Sequence, residues 1–176
     1  PAIMTLKEGE DTIPYQHNGK TYYFIKSRVE AMDQRYRTLY ENGVMMTAIL
    51  LNAPRLFDST REKELLDRVI HPGYDWEQEN AYISAFNMRT EEGQDYFRAF
   101  VEFLAERYSR EDAKYGRICG MVLSNEVDSQ YIWTNCGEMT AQEFACEYTA
   151  VMRSAWQAAS KHYKDFRVYM SLDHFW

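Results

Sequence analysis

Ile118-Cys119-Gly120-Met121-Val122-Leu123-Ser124-Asn125-Glu126-Val127 is the stretch whose reading decides the fold. Its first six residues are apolar or small, and three polar residues follow at once. A short run of this kind reads as a strand buried on both faces, the pattern of parallel sheets. Parallel α/β folds bind their ligands at the carboxyl ends of the strands. Glu126, placed there beside the amide of Asn125, therefore reads as a working carboxylate. The competing reading has Glu126 capping the next loop or pairing with an arginine.

Three other stretches share this pattern. Val44-Met45-Met46-Thr47-Ala48-Ile49-Leu50-Leu51 is almost wholly apolar and ends at Asn52. Ala81-Tyr82-Ile83-Ser84-Ala85-Phe86 ends at Asn87, and Phe166-Arg167-Val168-Tyr169-Met170-Ser171-Leu172 ends at Asp173-His174. Helical segments separate them. Ser27 with Glu30 reads as a capping box, and Val29, Met32, Tyr36, Leu39 and Tyr40 then recur on one face until Asn42-Gly43 stops the helix. Ser59 to Ile70 reads as a short helix ending near His71-Pro72. Thr90 caps a helix whose inner face is Phe97, Phe100, Val101, Leu104 and Tyr108. Thr140 with Glu143 opens the longest helix, with Phe144, Tyr148, Val151, Met152, Ala155 and Trp156 as its core stripe. Ahead of all this, Asn18-Gly19 between two aromatic-rich arms, Thr12 to Ile25, signals a type I′ hairpin. The expected fold is thus α/β, with parallel strands near 44–52, 81–87, 118–126 and 166–173 and an N-terminal β-hairpin. A single domain fits the length of 176 residues.

Composition narrows the function classes. The formal net charge of −7 argues against a nucleic-acid backbone as partner. No apolar stretch has the length of a membrane span, and no signal peptide opens the chain. The three cysteines, Cys119, Cys136 and Cys146, do not make a disulfide framework. Gly19-Lys20-Thr21 lacks the earlier glycine of a phosphate loop, where Pro14 stands. No dinucleotide fingerprint or nucleophile elbow is present, so no cofactor is expected. A lone Asp173-His174 pair is a weak metal signal, and no metal is assigned. Without a Gly-rich turn after a strand, a flavodoxin-like nucleotide module is the least supported architecture.

Glu126 is the candidate acid/base, and Asn125 the candidate ligand for a sugar hydroxyl. Asn52, Asn87 and His174 end strands and join the list of candidate substrate contacts. Each Asn has the competing role of bonding local backbone. Trp133 and Trp176 lie beside polar tips as candidate stacking platforms for a carbohydrate substrate.

At Gly120-Met121-Val122-Leu123-Ser124-Asn125-Glu126-Val127 the chain resembles the fourth strand of clan A glycoside hydrolases. Those are TIM (β/α)₈ barrels in which an Asn-Glu pair ends that strand. The chain as a whole resembles a bacterial domain family of unknown function with a glycoside-hydrolase-like barrel. The matching pieces are His17-Asn18-Gly19-Lys20-Thr21-Tyr22-Tyr23-Phe24, Ile49-Leu50-Leu51-Asn52, Ser124-Asn125-Glu126-Val127, Tyr131-Ile132-Trp133 and Ser171-Leu172-Asp173-His174-Phe175-Trp176. The resemblance implies a partial barrel, strands two to five, from a secreted or extracytoplasmic glycan-cleaving protein. Two departures stand out: Val127 occupies the place of the usual proline, and the nucleophile of the seventh strand falls outside the chain. A non-catalytic carbohydrate-binding or degenerate domain is the alternative. An incomplete barrel should also self-associate through exposed edges and apolar faces.

Overall fold

The computed structural model describes residues 3–55 and 63–173. Two three-stranded sheets and five α-helices make up the described fold. The first sheet is antiparallel and contains β1 (Met4–Thr5), β2 (Thr12–His17) and β3 (Lys20–Ile25), in the order β1-β3-β2. Asn18 and Gly19 form its tight turn with φ of 48° and 74°, the left-handed pair that a type I′ turn requires. Phe24 from this sheet stacks on Phe103 with ring centroids 3.7 Å apart.

Helix α1 (Lys26–Glu41) starts without the expected capping box. Asp11 takes that role from the loop before β2: its carboxylate accepts from the backbone N–H and the hydroxyl of Ser27 at 2.8 and 2.6 Å. These bonds hold the Asp11 carboxyl below its usual range. Then follow β4 (Thr47–Leu50), α2 (Lys63–Val69), α3 (Glu91–Tyr108), β5 (Gly120–Leu123), α4 (Gln130–Trp133), α5 (Ala141–Ser160) and β6 (Arg167–Tyr169). A short 3₁₀ turn, Val127–Ser129, precedes α4. Thr90 caps α3, and Thr140 with Glu143 forms the full capping box of α5, as the residue pattern predicts. The expected start of α2, at Ser59 and Glu62, lies outside the described residues.

The second sheet is parallel, in the order β4-β5-β6, with Thr47, Gly120 and Arg167 in register. Three of the four expected strands are therefore present, though shorter than the apolar runs that mark them. The fourth is corrected: residues 81–87 do not form a strand. They run as an extended arm with isolated bridges from Ser84 to Asn52 and to Asn135, and from Phe86 to Ile70. Its partners are scattered loop residues, so no ladder propagates. The described sheet is mixed with helices in an α/β arrangement and does not close into a barrel.

The two faces of the parallel sheet differ. Leu50, Met121 and Leu123 point into the main core, with Val151, Ala155 and Ala159 of α5 and Leu104 of α3. The other face carries Ile49, 59 % exposed, the half-buried Val122, and Tyr169, 44 % exposed. Met45, Met170 and Leu172, beyond the strand ends, are exposed as well. Trp156 is also corrected, because it is 52 % exposed rather than core. It flanks the true stripe of Tyr148, Val151, Ala155, Ala158 and Ala159. A buried ion pair ties α1 to α3: Arg107 grips Asp33 at 2.8 and 2.6 Å while Tyr108 donates to the same carboxylate at 2.9 Å. No helix among the described residues is long and apolar enough to cross a membrane.

Candidate functional site at the tip of the central strand

The central strand β5 ends in an unusual turn. Ser124 has φ of 65° and Glu126 has φ of 41°, both left-handed and neither glycine. Such a conformation costs an L-residue roughly 1–2 kcal/mol. Two such residues within three positions mark a tip held by its surroundings, and strained tips of this kind cluster at functional sites.

The holding contacts come from three directions. Ser124 donates its N–H to the Leu50 carbonyl of β4 at 2.9 Å. Its hydroxyl pairs with that of Thr134 at 2.7 Å, and Thr134 also donates to the carbonyl of Asn125 at 3.0 Å. From the β6 side, Ser171 accepts the Glu126 N–H on its hydroxyl at 2.9 Å and the Val127 N–H on its carbonyl at 3.1 Å. Below the tip, Tyr148 donates to the Leu123 carbonyl at 2.6 Å, and burial pushes its hydroxyl up to about 12.

With its backbone fixed on both sides, Glu126 is half-buried. Its carboxylate has no hydrogen-bond or ion-pair partner among the described residues, and neither has the amide of Asn125. An arginine pair, the bland expectation for this Glu, is not formed among them. The neighbouring carboxylates are engaged: Asp128 accepts the Asp173 N–H at 2.7 Å, and Asp173 accepts the Ser129 hydroxyl at 3.1 Å.

The two remaining strand-end asparagines take the local-backbone role. Asn52, 2 % exposed, donates to the carbonyls of Val69 and Ala85 at 2.9 and 3.3 Å. Asn87, also buried, donates to the Arg68 carbonyl and the Thr90 hydroxyl, and accepts the N–H groups of Arg89 and Thr90. Asn52 therefore braces the β4 tip, and Asn87 shapes the entry to α3. Trp133, half-buried, ends α4 next to Thr134 and lies 6.1 Å from the Tyr82 ring at a tilt of 32°. His174 and Trp176 lie outside the described residues.

Residues that the sequence reading passed over build the rest of the rim. Asn135 is fully buried and ties two loops together. It exchanges backbone bonds with Ile83 and Ala85 at 2.8 and 2.9 Å, and its side chain accepts the Asp75 N–H at 2.8 Å. Tyr131 then donates its hydroxyl to Asp75 at 2.8 Å, which holds that carboxyl below its usual range. At Gly73 a Cβ would meet the Cys136 carbonyl at 2.5 Å, so these loops touch backbone to backbone. No local pattern marks Asn135, Thr134 or Ser171, because each acts through contacts distant in sequence.

Behind the tip, between Ser124, Thr134, Glu147 and Tyr148, lies a narrow cavity of about 10 Å³. It has room for one water and not for a sugar. The tip that carries Asn125 and Glu126 is tied through Thr134 to the end of α4 with Trp133, and through Asn135 to the loops that carry Tyr82 and Asp75.

Neither among curated proteins nor among solved structures does anything match the chain. The model of a family of unknown function, DUF5722, matches residues 2–176, and the chain belongs to that family.

Proposed function

We propose that this chain is a segment of a glycan-cleaving (β/α)₈ barrel and that Glu126 is its general acid/base. The observation that carries the reading is the carboxylate itself. Among the described residues it stands unpartnered at the tip of a parallel strand, on a backbone turn held in a strained left-handed form from both sides. Such a position serves a proton donor because the strand end fixes the carboxyl while the side chain stays free for a leaving-group oxygen. Asn125, next to it with an amide that no described residue engages, hydrogen-bonds a hydroxyl of the sugar. The bare face of Ile49, Val122 and Tyr169 supports the barrel reading, since parallel sheets are covered on both faces and a barrel interior would cover this one.

In a retaining glycosidase the second carboxylate stands about 5–5.5 Å from the first. Asp128 and Asp173 are both engaged in backbone and hydroxyl bonds, so the nucleophile comes from outside the described residues. That same observation favours the alternative, a carbohydrate-binding domain without turnover, if no such carboxylate exists.

Glu126→Gln in the whole polypeptide tests the proposal, with hydrolysis and glycan binding measured side by side. Loss of hydrolysis by about 10²-fold or more with binding retained is expected. Unchanged hydrolysis removes Glu126 from the chemistry, and binding without hydrolysis in the parent protein leaves the binding-only domain.

A further inference from the structure

Tyr82 and Trp133 come from two segments far apart in sequence, the extended arm and the end of α4. The Asn135 bonds to Ile83 and Ala85 bring them together, one residue from Tyr82 and two from Trp133. Both rings keep surface toward solvent, Tyr82 at 39 % exposed. Ordinary packing would bury them, and here a fully buried polar residue holds them at the surface instead. The position is also specific: Trp133 is chained to Thr134, which bonds the Asn125 carbonyl beside Glu126.

We infer that Tyr82 and Trp133 form a stacking shelf for a pyranose ring of the glycan adjoining the bond that Glu126 protonates. The inference rests on the carbohydrate reading of the site above and deepens it to a substrate class. Aromatic faces hold the flat CH face of a sugar by dispersion and the polarity of the ring. Both faces are clear when every ring hydroxyl lies equatorial, so gluco- and xylo-configured glycans can stack from either side and are the class assigned. Equatorial hydroxyls point outward from the ring, and Asp75, whose loop is bonded to the same Asn135, is the carboxylate assigned to accept from them. Its Oδ2 accepts the Tyr131 hydroxyl and its Oδ1 the Glu77 N–H, at 2.8 and 2.9 Å, and the carboxylate keeps acceptor capacity beyond these bonds.

Titration of the chain with cellohexaose and xylohexaose, read by tryptophan fluorescence and by NMR shifts, tests the shelf. Binding of at least one is expected. Tyr82→Ala should weaken it about tenfold, while Tyr82→Phe, which keeps the ring, should stay within about twofold. Asp75→Asn should weaken binding. The shelf is overturned if neither sugar binds, or if Tyr82→Ala and Trp133→Ala both bind as the parent does. Glu126→Gln separates the two claims. Normal shelf binding with hydrolysis lost supports both. Hydrolysis lost in Glu126→Gln, together with binding indifferent to Tyr82, removes the shelf alone. Ring-dependent binding with hydrolysis untouched in Glu126→Gln removes the acid/base alone.

Discussion

The backbone N–H of Glu126 donates to the hydroxyl of Ser171 across 2.9 Å, so the tips of β5 and β6 are joined at the candidate carboxylate. The two residues are 45 positions apart, and the bond lies where the main chain of β5 turns left-handed. Ser171 thus acts on the site without facing it.

Ser171→Ala should therefore cost about 1 kcal/mol of stability, the usual figure for one lost hydrogen bond with a partly buried donor left open. Glycan turnover should fall with it, because the turn that aims Glu126 loosens. Urea unfolding followed by a kinetic assay checks both. A stable variant with unchanged turnover would show that the bond does not hold the carboxylate in place.

Glu126→Gly should act in the opposite sense on the fold. Glycine adopts φ of 41° without the Cβ penalty, a gain of roughly 1–2 kcal/mol, offset by about 0.5–1 kcal/mol of unfolded-chain entropy. The expected result is a midpoint equal to or above the parent's with no glycan hydrolysis. A clear loss of stability would mean that the Glu126 side chain supports the fold rather than the chemistry.

The legible part of the fold is local. Thr90, the Thr140–Glu143 box and Asn18-Gly19 act within a few residues, and the apolar runs into Leu50 and Leu123 mark strands, although Val44, Met45 and Ile49 are exposed where the pattern predicts burial on both faces. The segment 81–87 misled because an apolar arm looks like a strand wherever it lies. Its partners are decided by Asn52, Ile70 and Asn135, which only the assembled loops bring together. Trp156 misled because helical spacing gives a stripe but not its width. The place of Asn125 and Glu126 at the end of a buried strand is legible, whereas the bonds that Ser171 and Asp75 make are set by the assembled fold.

His71 offers a pH test of the loop platform. It is 4 % exposed, its Nδ1 accepts the Gly73 N–H at 3.0 Å, and its Nε2 lies 3.7 Å from Glu147. Burial lowers its proton affinity against the pull of Glu147, and Arg89 lowers it further. The unfolded chain then takes up a proton near the ordinary value of about 6.5 while the folded chain does not. Stability should be level above that pH and fall as pH drops below it, until the folded site protonates as well. Melting curves from pH 7.5 to 5 should show the decline, and His71→Gln should flatten it. An identical slope in that variant would assign the titration elsewhere.

The bare sheet face predicts association of the isolated chain. Ile49 and Tyr169 stand on the uncovered side of a parallel sheet whose edge strands β4 and β6 have no further partner among the described residues. Sedimentation should show species larger than the monomer, and Ile49→Lys with Tyr169→Lys should shift them to monomer. A parent chain that is monomeric at high concentration would count against an unfinished barrel.

The most direct test of the central claim is the leaving-group dependence of Glu126→Ala in the whole polypeptide. An acid that protonates the departing oxygen is needed for a poor leaving group and dispensable for a good one. The kcat/KM for an alkyl glycoside or an oligosaccharide should fall by about 10²–10⁴-fold, while kcat/KM for the matching 2,4-dinitrophenyl glycoside stays near the parent value. Equal loss on both substrates, or loss on neither, would contradict the assignment of Glu126 as the proton donor.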